Sequence, residues 1–149
     1  MPMCENCDYQ NLLEAAGIDE TRNRIDVLEV IGDNKYPLTA MDIYRTIERR
    51  HAINRVTVYR ILDLLVERKI VERLSTGGRA AHYGLAPNNH HAAHPHFYCI
   101  RCGQMDCLSP ETLDISPNNL QKTFTGEIER IEIRVDGICT KCLIVENGE

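Results

Sequence analysis

The residues best equipped for chemistry in this chain are cysteines and histidines gathered in its second half. Cys99 and Cys102 form one C-x-x-C pair, and Cys139 and Cys142 form another after 36 intervening residues. Two such knuckles are the spacing of a structural zinc. Each offers two thiolates to one tetrahedral ion, and closing the long loop between them adds folding energy. Two disulfides or idle thiols are the competing reading, which seven cysteines without a secretory leader disfavour. His94 and His96 stand just ahead of the first knuckle, and Cys107 lies five residues beyond Cys102. An H-x-H in an extended segment turns both rings to one face, so these residues make a second donor set of nitrogen and thiolate. A third C-x-x-C, Cys4 and Cys7, is isolated at the N-terminus, where a disordered tail and an accessory metal or redox role both remain open.

The elements that must carry these residues follow from composition and periodicity. The chain has 149 residues, 43% hydrophobic and 26% charged, with no Trp, which suits one domain or two small ones whose modest cores gain from a metal staple. The start Met1-Pro2-Met3-Cys4 has no basic leader or apolar core, and no run approaches the roughly 18 apolar residues of a membrane span. The expected location is the cytoplasm. Net charge is −5, yet residues 45–79 hold nine Lys/Arg against four acids. A basic surface on an acidic protein is compatible with phosphate binding, although a solvated charged face has the same composition.

A short helix around Leu12, Leu13, Ala15 and Ala16 ends at Gly17, and Thr21 is placed to cap a helix carrying Ile25, Leu28 and Ile31. Thr39 and Asp42 form a capping box for a helix with Ala40, Ile43, Tyr44 and Ile47 inward, running to about Arg50. The next helix turns Val58, Ile61, Leu62 and Leu65 to one side and Val56, Tyr59, Arg60 and Asp63 away, with Arg55 at the border. An ordinary surface helix fits that pattern. So does a recognition helix, whose outward Arg and Tyr can grip guanine and touch thymine methyls. Residues 70–74 and 80–85 read as strands about a Ser75-Thr76-Gly77-Gly78 turn, and three helices followed by a hairpin make a winged helix with Arg79 at the wing tip. Ala86-Pro87-Asn88-Asn89 reads as a hinge. Beyond it the spacing predicts short helices starting at Pro110-Glu111 and Ser116-Pro117 and a strand over 128–135. The fold class expected is α+β: a winged helix-turn-helix over residues 1–86, then a small α/β dimerisation domain over 87–149 with an antiparallel sheet and a Cys4 zinc site. One-faced strands in so small a unit call for burial against a twin.

The chain resembles the ferric uptake regulator family of bacterial metal-responsive transcription factors over nearly its whole length. The resemblance is carried by Arg55-Val56-Thr57-Val58-Tyr59-Arg60, by His94-x-His96-x-x-Cys99-x-x-Cys102-Gly103 and by Asp136-Gly137-x-Cys139-x-x-Cys142. It implies a homodimeric repressor that binds palindromic double-stranded operators when a regulatory metal fills a hinge site. Arg55, Thr57, Tyr59, Arg60 and Arg79 would then meet DNA.

Several positions depart from the family's usual pattern. Where members sensing iron or peroxide commonly carry a histidine before the second helix of the DNA-binding motif, this chain has Lys35, Tyr36 and Pro37. Gly84 replaces a usual carboxylate, and Cys107 replaces the usual Asp or Glu. A further metal site known in several members would fall on Ala93, Pro95 and Ile131, which supply no ligands, so that site is expected to be absent. Ligand type then points the regulatory set, His82, His94, His96 and Cys107, to zinc, since a thiolate with imidazoles is a soft tetrahedral set. His90 or His91 stands as an alternate to His82. Ferrous iron is the alternative signal, and peroxide or thiol oxidation a further one. The motifs of zinc deaminases and zincins are missing, so no enzyme activity and no small-molecule substrate is expected.

Overall fold

The computed structural model describes residues 8–88, 92–113 and 115–147. The chain divides into two compact units, Met1–Ala92 and Ala93–Glu149, so the break falls beyond the 86/87 boundary expected from the turn-rich hinge. Part of the reason is local: the Ala86 N–H donates to the Ile70 carbonyl at 3.0 Å and ties the start of that segment to the first unit.

The first unit begins with α1 (Tyr9–Ala15), which stops where Gly17 adopts φ +72. There the Ile18 N–H reaches the Leu13 carbonyl and the Gly17 N–H the Glu14 carbonyl, the paired bonds that satisfy a helix C-terminus. Thr21 caps α2 (Arg22–Gly32) as expected, its hydroxyl accepting from the Arg24 N–H. The capping box is present at α3 (Ala40–Glu48): Thr39 Oγ1 accepts from the Asp42 N–H at 3.1 Å, and Asp42 Oδ2 accepts from the Thr39 N–H at 3.3 Å. Asn54 caps α4 (Arg55–Glu67), which buries Val58, Ile61, Leu62 and Leu65 against Leu28, Ile31, Ile43 and Ile47 in one core. Arg68, inside the basic stretch, is used by the fold, since its Nη1 donates to the Ala16 carbonyl at the end of α1.

The wing is a three-stranded sheet rather than a bare hairpin. Numbered in chain order, β1 (Leu38–Thr39) precedes α3, while β2 (Val71–Leu74) and β3 (His82–Leu85) follow α4. The order is β1-β3-β2, all antiparallel, with Leu74 opposite His82 and Leu38 opposite Tyr83. The sequence shows no sign of β1 because two residues have no periodicity to read.

The second unit is organised on β4 (His96–Cys99), which pairs antiparallel with β5 (Met105–Cys107) and parallel with β6 (Arg134–Gly137). The antiparallel sheet expected there is the β4–β5 pair, and β6 makes the whole sheet mixed. The strand expected over 128–135 is shorter and later than its alternation suggested, because register partners on β4 begin at residue 134, preceded by a single bond from the His96 N–H to the Ile133 carbonyl. Pro110 and Glu111 sit in a turn, not a helix. Ser116 caps α5 (Pro117–Thr123) as expected, and α6 (Thr140–Glu146), not anticipated, starts directly after Cys139.

Candidate metal centres and nucleic-acid interface

Cys99 ends β4, Cys102 lies in the tight turn that follows, Cys139 is the N-cap of α6 and Cys142 lies in its first turn. Their four sulfurs all lie within 4.8 Å of one another. Cys99 Sγ is 3.8 Å from Cys142 Sγ, and Cys102 Sγ is 3.8 Å from Cys139 Sγ. A disulfide needs about 2.05 Å. A tetrahedral ion with bonds of about 2.3 Å to sulfur sets the sulfurs about 3.8 Å apart, so the donor set fits zinc. The Cys102 and Cys139 N–H groups donate to Cys99 Sγ at 3.5 and 3.4 Å. Burial pushes the Cys99 thiol up, but these N–H groups together with that of Arg101 outweigh it and bring the thiol down to about 6. Hydrogen bonding to Cys139, then burial, pushes Cys142 the other way.

Gly137 explains part of the second knuckle. It lies opposite Cys99 across β4 and β6, and a Cβ there would come within 3.0 Å of the Phe97 ring. Glycine lets the strand that leads into Cys139 lie this close to Phe97, and a larger residue would have to push the ring aside.

The second donor set is His94, His96 and Cys107, whose ligand atoms also lie within 4.8 Å of one another. The cause is strand register. His96 and Cys107 are direct cross-strand partners on one face, and His94 precedes His96 by two residues, its ring centroid 4.6 Å from that of His96. Two imidazoles and a thiolate in this space suit a small borderline-soft cation. His82 is buried on β3 of the first unit, and His90, His91, Cys4 and Cys7 lie outside the described residues.

On the first unit, Val56, Tyr59 and Arg60 are exposed along α4 and Thr57 is half-buried. Arg55 leans over the Tyr44 ring, 5.9 Å from its centroid, and the Tyr44 hydroxyl donates to Glu48 at 2.9 Å. Among the described residues neither Arg60 nor Arg79 has an ion-pair partner, whereas Arg50 faces Glu29. The turn before α4 is fastened to α2 by His51, whose Nε2 is 2.6 Å from Asp26 Oδ2.

The ferric uptake regulator family model matches residues 15–135, a span that includes the recognition motif, both histidines, Cys99, Cys102 and Cys107. The chain belongs to the ferric uptake regulator family. Membership places it among regulators and not among enzymes. A relative within the family is the ferric uptake regulation protein of Bacillus subtilis, 27% identical over 132 residues, covering 87% of this chain and 89% of the relative. The crystal structure of the Vibrio cholerae ferric uptake regulator superposes with a TM-score of 0.70 at 23% identity, covering 89% of this chain and all of that one. A zinc uptake regulator complexed with zinc and DNA aligns with a TM-score of 0.64 at 23% identity, over 93% of this chain and 92% of that one. These two structures support the α+β fold described above. No helix among the described residues is long and apolar enough to cross a membrane.

What the sequence reading missed at these sites is backbone and register. The N–H donors to Cys99 Sγ leave no trace in residue types, and the pairing of His96 with Cys107 needs the length of the β4–β5 turn. Gly103, at φ +79 in that turn, was the available signal.

Proposed function

We propose that this chain is a zinc-responsive transcriptional repressor of the zinc uptake regulator branch. It binds palindromic operator DNA in the cytoplasm as a homodimer when zinc fills the regulatory site. The observation that carries the reading is the cluster of His94, His96 and Cys107, with a thiolate where the family commonly has a carboxylate. Sulfur and imidazole donors favour zinc, while ferrous iron prefers more oxygen donors and a larger coordination number. His82 is proposed as the fourth ligand, with the DNA-binding domain assigned to residues 1–86 and the dimerisation domain to residues 87–149. Cys99, Cys102, Cys139 and Cys142 hold a structural zinc in this reading. Neither a membrane nor a small-molecule substrate has a part in it.

Arg55, Thr57, Tyr59, Arg60 and Arg79 are the proposed DNA contacts, with Tyr59 and Arg60 reading bases and Arg79 meeting the phosphate backbone or the minor groove from the wing. Support for a homodimer comes from apolar side chains left exposed on the small second unit, among them Ile131, Val135, Leu143, Ile144 and Val145. The name shared by the curated relatives, ferric uptake regulation protein, favours iron as the second reading. The deciding experiment titrates protein demetallated at the regulatory site with zinc or ferrous ion under anaerobic conditions while following operator binding. Zinc activation that is lost in Cys107→Ser and in His82→Ala is expected. Activation by iron at lower free concentration, or unaltered zinc activation in Cys107→Ser, overturns the assignment, and release of DNA by peroxide alone would favour a thiol sensor.

A further inference from the structure

The loop between β2 and β3 holds a buried hydroxyl that DNA contact at the wing does not by itself explain. Thr76 is 6% exposed, although its neighbours Ser75, Gly77, Gly78, Arg79 and Ala80 are all exposed. Its Oγ1 is 2.8 Å from the Arg79 carbonyl and 3.2 Å from the Ala80 carbonyl, so the single hydroxyl proton is shared between two acceptors. The two residues it spans are glycines in the left-handed region, Gly77 at φ +68 and Gly78 at φ +114. A Cβ on Gly78 would meet nothing within 4 Å, so glycine is required there by backbone angle and not by crowding.

Two consecutive glycines are the most conformationally permissive sequence a chain can place in a loop, and fixing them costs more entropy than fixing any other pair. Something must hold this segment in one arrangement. The Thr76 hydroxyl closes it from inside by gripping the carbonyl of the very residue whose guanidinium has no ion-pair or hydrogen-bond partner among the described residues. We infer that Thr76 is a positioning residue for the DNA contact of the wing: its buried hydroxyl holds the Arg79 backbone so that the guanidinium meets an operator phosphate in a preorganised loop. The inference rests on the proposed role of the wing in DNA binding.

The physical consequence is a division of labour between the two side chains. Arg79 supplies the charge, and Thr76 removes the entropy that ordering the loop would otherwise cost on binding. Thr76 lies in the loop and outside the core cluster of the first unit, so removing its hydroxyl should loosen the loop and leave the fold of the unit standing.

The test uses the zinc-loaded full chain and a duplex selected by that protein from a random pool, with binding followed by fluorescence anisotropy from low to high salt. Four variants are compared: Arg79→Ala, Thr76→Val, Thr76→Ser and the double variant Thr76→Val/Arg79→Ala. Loss of one phosphate contact in Arg79→Ala should lower the salt slope by about 0.9. Thr76→Val, which keeps the shape and loses the hydroxyl, should weaken binding roughly three- to tenfold, the range of one net hydrogen bond. Thr76→Ser should match the parent, and the double variant should be no weaker than Arg79→Ala alone. Faster amide exchange at residues 77–80 of DNA-free Thr76→Val, with cooperative melting of the unit retained, is also expected. Additive losses in the double variant, or Thr76→Val binding like the parent while Arg79→Ala is weakened, overturns the positioning role and leaves the wing contact standing. An Arg79→Ala protein with unaltered affinity and salt slope overturns the wing contact and the inference together.

Discussion

Substituting Cys99 by serine strikes the sulfur around which the second unit is wound. Cys99 is fully buried, ends the central strand of its sheet and accepts N–H donors from both knuckles. Of the twenty buried apolar side chains among the described residues, three belong to this unit, Tyr98, Cys99 and Met105, while the other seventeen lie in the first. Full burial contributes about 1.5–3 kcal/mol for each large apolar side chain, whereas a structural zinc contributes on the order of 10–16 kcal/mol. In the proposed reading the metal therefore outweighs the local core, and the second unit should depend on it while the first should not. In Cys99→Ser, or after removal of zinc by a strong chelator, amides of residues 96–99 and 105–107 should lose hydrogen-exchange protection. Those of α2 and α4 should keep theirs. The measurement is hydrogen exchange followed by mass spectrometry, with zinc content read on the same sample by elemental analysis. If protection in β4 and β5 persists after the zinc is demonstrably gone, the burial argument is wrong.

Three other outcomes follow from named contacts. Arg60→Ala should cost about 1–3 kcal/mol on the selected operator and much less on random DNA, and equal losses on the two would refute base reading. Lys69→Gly should raise stability by about 0.5–1 kcal/mol in thermal or urea unfolding, because Lys69 occupies φ 60 at the end of α4, where glycine carries no Cβ penalty; an unchanged or lowered midpoint counts against it. Gly137→Ala should lower the melting temperature of the second unit and weaken zinc retention against a chelator, since the new methyl meets the Phe97 ring, and retention equal to the parent would argue against that contact.

Local chemistry was legible in the sequence wherever a residue acts on its near neighbours. Thr21, the Thr39–Asp42 box, Gly17 and Ser116 each act within a few residues of their own position, and each does what its type predicts. The knuckles were legible for the same reason, since two cysteines three positions apart chelate without help from the rest of the chain. Pairing was not legible. Ile131, Ile133 and Val135 alternate well enough to predict a strand, but alternation assigns faces and cannot name a partner, and β4 takes its register partners from residues 134–137, with one further bond from the His96 N–H to the Ile133 carbonyl. The two-residue β1 exists solely because β3 lies beside it. The seven-residue α6 takes its start from Cys139, which makes no side-chain cap, so its sequence carries no start signal.

Strand β4 carries residues of both candidate metal-ligand clusters, His96 and Cys99. Side chains alternate along a strand, so His96 and Tyr98 share one face while Phe97 and Cys99 share the other. On the first face His96 meets Cys107 across the β4–β5 pair and completes the His94, His96 and Cys107 cluster. On the second, Cys99 draws both knuckles together over Gly137. A strand of four residues has too few ladder bonds to stay in register by itself, and a slip of one residue would carry His96 to the wrong face. In the proposed reading the four cysteines, closed on a metal at the end of β4, hold the register that sets the imidazole at its beginning opposite Cys107. The regulatory site is, in that reading, armed only when the structural site is filled. Stepwise chelation should therefore empty the His94, His96 and Cys107 set first, with the unit folded, and any treatment that strips the four cysteines should abolish both sites at once.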